Sequence, residues 1–230
     1  MMKRITATMI TIMVFLLSIA VASAETPYDS ERSGVGFNES RTMPTDGNVT
    51  AYGGNISNVN LSIDIQTPYW TGYYGTVSHS ISLQDTGDNS FYNWGSVAST
   101  GYVMLSPSST VDWGSLVPGT SGHAGTEDTD LSLDSVAENV TATFTSNNAG
   151  AIDIGASTIG DGLAVSVNTS SNGGNEWQTV LAYDGSDPIY IGVIDQDNQN
   201  YAGDASDFQV MVPINASAGS RTYYLYMAVN

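Results

Sequence analysis

Across 230 residues the chain carries 23 acidic side chains against five lysines and arginines, a formal net charge of −18, and it has no cysteine. A polyanion of this kind cannot neutralise a phosphate backbone or settle on an anionic membrane, which excludes nucleic acid as a partner. Without cysteine there are no disulfides, thiol nucleophiles, zinc thiolate sites or iron–sulfur clusters, so stability has to come from apolar burial, which a chain of this length supplies.

Residues 1–24 have the form of a secretory signal. Lys3 and Arg4 precede an apolar run from Ile5 to Ala22, Ala22-Ser23-Ala24 supplies the small residues of a cleavage site, and Glu25 opens a polar stretch. Cleavage after Ala24 is expected, which makes the protein secreted, extracellular or bound at the cell surface, with no membrane partner once the leader is gone. The run also approaches the length of a bilayer span, so an uncleaved anchor is the alternative. Every acidic residue follows the leader, where the basic residues are Arg32, Arg41 and Arg221 alone. Cations, or a cationic patch on a partner, are the ligands such a field favours. Residues 25–46 show no period and read as an extended arm.

Beyond the arm, period-two alternation recurs and helical periodicity is nearly absent. Leu61, Ile63 and Ile65 alternate with polar residues; Val77, His79, Ile81 and Leu83 share one face opposite Ser78, Ser80 and Ser82. Val140, Ala142 and Phe144 alternate with threonines, followed by Leu163, Val165 and Val167, then Ile189, Ile191 and Val193, then Phe208, Val210, Val212 and Ile214. The chain closes on Tyr223, Leu225, Met227 and Val229 facing one way and Tyr224, Tyr226 and Ala228 the other, a strand expected to be covered on both sides. Gly, Asn, Asp and Pro clusters such as "QDTGDN", "SSNGGNE" and "YDGSDP" bound these runs. The pattern predicts an all-β fold, an antiparallel β-sandwich of immunoglobulin-like or jelly-roll type. The polar stretch 117–130 reads as a linker between residues 47–116 and 131–230, which form either two sandwiches or two halves of one.

The candidates for chemistry are few. No serine-elbow, zinc-protease or phosphate-loop motif occurs, and the two histidines read as structural or solvated: His79 half-buried on a strand, His123 in the linker. No catalytic residue is assigned, and the protein is not expected to be an enzyme. In "DQDNQN", Asp195, Asp197 and Asn200 offer oxygen ligands at the spacing of an opening calcium loop, without its glycine or closing glutamate; the competing reading is a polar turn. Calcium is therefore the one cofactor considered. N-x-S/T sequons stand at Asn38, Asn48, Asn55, Asn60, Asn139, Asn168 and Asn215. The aromatic group Tyr69, Trp70, Tyr73 and Tyr74 is either a platform for sugar rings or the plug of a sandwich core, and its position just before an alternating strand favours the core. Trp94 and Trp113 are expected to pack against it.

"TPYWTGYYGTVSHSISLQDTGDNSFYNW" and the later "STVDWGSLVPGT" resemble a family of secreted archaeal β-sandwich proteins that carry a W-x-G-[YF]-x-G-x-V-x-x-x-I-x-L-x-D signature. "DFQVMVPIN" and "TYYLYMAV" resemble that family's closing strands. "DWGSLVPGT" is more loosely similar to TasA- and camelysin-type matrix proteins and to archaeal bundling-pilus subunits. The resemblance implies location and fold, and the matrix-protein likeness implies filaments in which one subunit's N-terminal arm completes the next subunit's sheet. The expectation is an exported structural or adhesive surface or matrix protein, a filament subunit in its most specific form, self-associating or bound to a glycan or cell-surface partner. A secreted carbohydrate- or calcium-binding accessory module is the alternative.

Overall fold

The computed structural model describes residues 28–29 and 66–229, apart from 98–99, 173 and 175. The leader, most of the arm, the run at Leu61, Ile63 and Ile65, and the sequons at Asn38, Asn48, Asn55 and Asn60 lie outside the described residues. In chain order the elements are β1 (Tyr28–Asp29), β2 (Trp70–Gly75), β3 (His79–Gln84), β4 (Ser90–Val97), β5 (Gly101–Ser106) and β6 (Val117–Pro118). Two short helices follow, α1 (Ser121–Asp130) and α2 (Val140–Thr143), and then β7 (Ser146–Asn147), β8 (Ile152–Ile154), β9 (Ser157–Ile159) and β10 (Val165–Thr169). The remainder is β11 (Trp177–Tyr183), β12 (Pro188–Ile194), β13 (Asn198–Gln199), β14 (Ala205–Ser206), β15 (Phe208–Pro213) and β16 (Tyr224–Val229).

The all-β expectation holds: every strand pairing is antiparallel, and the sheets layer as in a sandwich without closing into a barrel. The main sheet runs β1-β16-β5-β12-β11-β10-β7, with β6 added against β11. Its middle strands are buried on both faces. Alternation sends Val103, Leu105, Leu181 and Tyr190 into one core and Tyr102, Met104, Val180, Ala182, Ile189 and Ile191 into the other. The first core is closed by Val210 and Val212 of the β2–β15 pair and by Ala124, Leu133, Val140 and Phe144 in and around the helices. The second is closed by Ile152, Ile154 and Ile159 of the β8–β9 hairpin, with Leu116 and Trp113 beside them. No helix among the described residues is long and apolar enough to cross a membrane.

Expectations for the middle of the chain need correction. The stretch 117–130, read as a linker, is β6 and α1, and both pack on the sheet. Apolar periodicity missed this helix because its buried positions are Ala124, Glu127 and Asp128. Thr120 caps it, accepting from the His123 N–H at 3.3 Å while its own N–H donates to His123 Nδ1 at 3.2 Å, a capping box with histidine in the usual glutamate place. The His123 ring stacks on Tyr183, 4.4 Å between centroids, so this histidine is a helix-start residue rather than a solvated one. The alternating run Val140–Phe144 is likewise a single helical turn, capped by Asn139 Oδ1 and by both carboxylate oxygens of Asp128, which accept from Val140 N and Thr141 N.

Glu127 joins the helix to the sheet. It is 2% exposed, and its carboxylate pairs with Arg221 at 2.5 Å and accepts from the hydroxyls of Tyr190 at 3.2 Å and Tyr183 at 3.4 Å. A charge so placed is tolerated because cation and hydroxyls together answer both of its oxygens. β5, from the stretch before 117–130, is hydrogen-bonded between β12 and β16 from the stretch after it, so the two stretches build one sheet.

Candidate interaction surface

Two features of the surface stand apart from the layered body. The first is the ribbon made by β3 and β4. These strands pair with each other, and neither packs extensively on another described element. The ribbon exposes Ile81, Leu83, Phe91, Tyr92 and Trp94, with Phe91 85% open to solvent and the others about half. Such a density of apolar surface is the informative kind of exposure, unlike a lone surface leucine.

Its geometry is set by two irregularities in the pairing. Ile81 lies opposite Gly95 and Ser82 opposite Asn93; Leu83 lies opposite Tyr92 and Gln84 opposite Ser90. Trp94 and Phe91 are thus the supernumerary residues of two bulges, a device that bends a strand and re-aims the side chain it leaves unpaired. Gly95, at φ +76°, takes the left-handed conformation that the first bulge requires. Tyr92 and Trp94 meet edge to face at 4.8 Å, and Leu83 and Phe91 line one shallow depression beside the turn. The turn itself is tightly held. Asp85 Oδ1 accepts from Gly87 N at 2.8 Å and Asn89 N at 2.9 Å, and both its oxygens accept from Asn89 Nδ2. Those bonds favour the ionised carboxyl and hold its pKa below the ordinary aspartate value, the Asn89 side chain contributing most.

The second feature is the outer edge of β16. Tyr28 pairs with Met227 and Asp29 with Tyr226, so two residues of the arm extend the main sheet by one short strand.

The aromatic group at the start of β2 divides. Tyr69 and Trp70 pack against the first core; the Trp70 indole N–H donates to the Glu138 carbonyl at 2.6 Å and its ring lies 6.2 Å from Phe144. Tyr73 and Tyr74 are nearly half exposed, and Tyr74 meets Tyr201 edge to face at 5.4 Å. Trp94 and Trp113 do not join the group: Trp94 lies on the ribbon, and Trp113 packs edge to face on Tyr226, 5.0 Å away, in the second core. Phe91, Tyr92 and Trp94 were not singled out from the sequence as surface residues. The signal was present in "FYNWG", where aromatics fall at 91, 92 and 94 and break the period of two ahead of a glycine, as a bulged strand does.

Asp195, Asp197 and Asn200 lie in and beside a tight turn, with Asp197 at φ +57°. Asn200 is buried, its Oδ1 accepting from Ala202 N and Asp204 N while its Nδ2 donates to Ser206 Oγ. Asp195 Oδ2 accepts from Asn198 Nδ2 at 3.0 Å. The carboxylate that organises the region is Asp207, buried, accepting from Val77 N at 2.6 Å and Asp197 N at 3.0 Å. Among the described residues no three His, Asp or Glu side chains converge so as to hold a metal ion.

Three sequons fall within the described residues. Asn139 caps α2 through its oxygen alone, whereas Asn168 Nδ2 donates to Glu176 and Asn215 Nδ2 to the Asp130 carbonyl. His79 is half-buried in β3, as read from the sequence. Compared with family models, curated proteins and solved structures, the chain matches none.

Proposed function

We propose that this protein is an exported structural or adhesive component of a cell surface or extracellular matrix, and that its subunits assemble through the N-terminal arm. The observation that carries the reading is the pairing of Tyr28 and Asp29 with β16. A sheet edge is a template for another strand, and here the strand that extends it comes from a segment remote in sequence from the next described element. The chain between 29 and 66 has a contour length on the order of 100 Å at about 3.3 Å per residue. The same pairing can therefore form within one subunit or between two, the exchange that domain-swapped assemblies use. The signal-like leader supports export, and the absence of cysteine is compatible with it, since the two-faced core supplies the burial that disulfides would otherwise supplement.

Deleting residues 25–46 from the secreted protein and sizing both forms by light scattering and electron microscopy tests the reading. Oligomers or fibres of the full chain that become folded monomers are the expected result. A full chain that stays monomeric at high concentration rules the arm out.

A second reading, a secreted carbohydrate-binding module, is favoured by Tyr73, Tyr74 and Tyr201. Their exposed rings are the groups that stack on the apolar faces of sugars. Binding to a glycan array that Tyr74→Ala and Tyr201→Ala abolish would select it.

A further inference from the structure

We propose that Asn168 carries an N-linked glycan, and that of the three sequons within the described residues it alone is built to accept one. The modification rests on the export reading above, because an N-x-S/T asparagine is an acceptor only in an exported chain, and it involves none of the residues of the arm.

The chemistry sets the geometry. The asparagine Nδ2 forms a bond to the anomeric carbon of a lipid-phosphate-linked oligosaccharide. The bond from that carbon to the phosphate oxygen breaks, the lipid phosphate leaves with the electron pair, and one Nδ2 proton passes to the transferase. Because the acceptor motif also demands a hydroxyl two residues on, amide and hydroxyl have to be reached from the same side. A strand provides this, since residues i and i+2 share a face. A helix does not, since i and i+2 point apart.

Asn168-Thr169-Ser170 meets the requirement at the end of β10. Asn168 and Ser170 are exposed, and Thr169 between them turns inward, where its Oγ1 accepts from Gln209 Nε2 at 2.6 Å and donates to the Trp177 carbonyl at 3.4 Å. The Asn168 amide is bonded to surface side chains: Nδ2 donates to Glu176 Oε2 at 2.6 Å and Oδ1 accepts from Gln178 Nε2 at 3.3 Å. Water replaces such exposed bonds at little cost. Asn139-Val140-Thr141 is instead the start of α2. Asn139 is half-buried with its Oδ1 holding Ala142 N at 2.7 Å, and Val140 is fully buried with its N–H donating to Asp128. Asn215-Ala216-Ser217 enters a turn. Asn215 is half-buried, its Oδ1 accepts from Ala218 N at 2.7 Å, its Nδ2 donates to the Asp130 carbonyl, and Ala216 N donates to the Leu131 carbonyl at 2.9 Å. Presenting either of these sequons means giving up a cap or a turn that the fold uses. Asn168 also lies toward the margin of the main sheet opposite the one that β1 extends, so a glycan there leaves the pairing of the arm with β16 unobstructed.

The experiment is digestion of the protein, purified from its natural host, with an endoproteinase that cuts before aspartate, followed by mass spectrometry. The three sequons then fall on separate peptides, 134–152, 161–183 and 207–230. The expected result is sugar mass on 161–183, localised to Asn168 by fragmentation. Its occupancy should exceed that of the other two roughly tenfold, the ratio set by giving up one buried polar bond at each of those. Ser170→Ala, which keeps the asparagine, and Asn168→Gln should each strip the sugar from that peptide. A bare 161–183 peptide overturns the proposal, as does equal occupancy of all three sequons. Sugar that survives in Asn168→Gln is linked to a hydroxyl and overturns it too. The same digest reads export separately. Peptide 25–28 marks a cleaved leader, so a bare Asn168 beside it overturns the glycan and leaves export standing, whereas sugar-free peptides together with an intact 1–28 overturn both.

Discussion

Trp70 and Tyr74 belong to one short strand, yet burial sets them different tasks. The Trp70 ring rests on Phe144 and its N–H is answered by the Glu138 carbonyl, while Tyr74 touches Tyr201 by one ring edge and is nearly half exposed. Trp70→Ala should lower stability by about 3 kcal/mol, the low end for deleting a large aromatic because the side chain is only partly buried. Tyr74→Ala should cost under about 1 kcal/mol, mostly the lost edge contact. Urea denaturation of both variants checks the contrast, and equal losses would mean that the group acts as one unit. From the sequence the two rings were indistinguishable. The division depends on Phe144 and Glu138, brought to the Trp70 end of β2 by helices that the apolar pattern did not reveal.

At the scale of elements, strands whose two faces differ, or whose apolar run is long, were legible: β15 and β16 lie where alternation placed them, and β12 spans the run around Ile189 and Ile191. Elements whose buried side is polar were not. α1 buries Glu127 and Asp128; the partner of the first, Arg221, comes from the far end of the chain, and that of the second, Val140 N, from the next helix. One glycine matters to the sheet itself. Gly101 opens β5 at φ +136°, and a Cβ there would stand 2.0 Å from the Ala228 carbonyl oxygen of β16. Gly101→Ala should therefore destabilise by about 3 kcal/mol through backbone strain and separation of the two strands, seen as a lowered melting temperature and faster amide exchange in both. The turn at Asp195 is held by Asp207 and by an Asn200 whose amide is already committed, so millimolar calcium is expected to leave the melting temperature unchanged. A rise abolished by Asp195→Asn/Asp197→Asn would instead establish the ions as ligands of the folded state.

For the whole molecule, the cluster around Glu127 predicts a sensitivity to alkali. Burial, reinforced by the neighbouring carboxylate, pushes the hydroxyl pKa values of Tyr183, Tyr190 and Tyr223 above the ordinary tyrosine value of about 10. Below that value folded and unfolded chains both keep these protons, and stability from this source is intact. Above it the unfolded chain releases them first, so folding loses up to about 1.4 kcal/mol per pH unit for each such tyrosine. Urea midpoints should be level between pH 8 and 9.5 and fall beyond pH 10, with a shallower fall in Tyr183→Phe. The order of strands in the main sheet carries a consequence in time. β5 at 101–106 sits between partners at 188–194 and 224–229, so synthesis delivers a strand buried on both faces long before anything exists to receive it. Pairings this distant in sequence are slow to close, and the waiting segment is sticky enough to need shelter from its neighbours. The main sheet of such a chain stays open until β16 has been made, so the last strand, and not the first, sets the moment at which it can close.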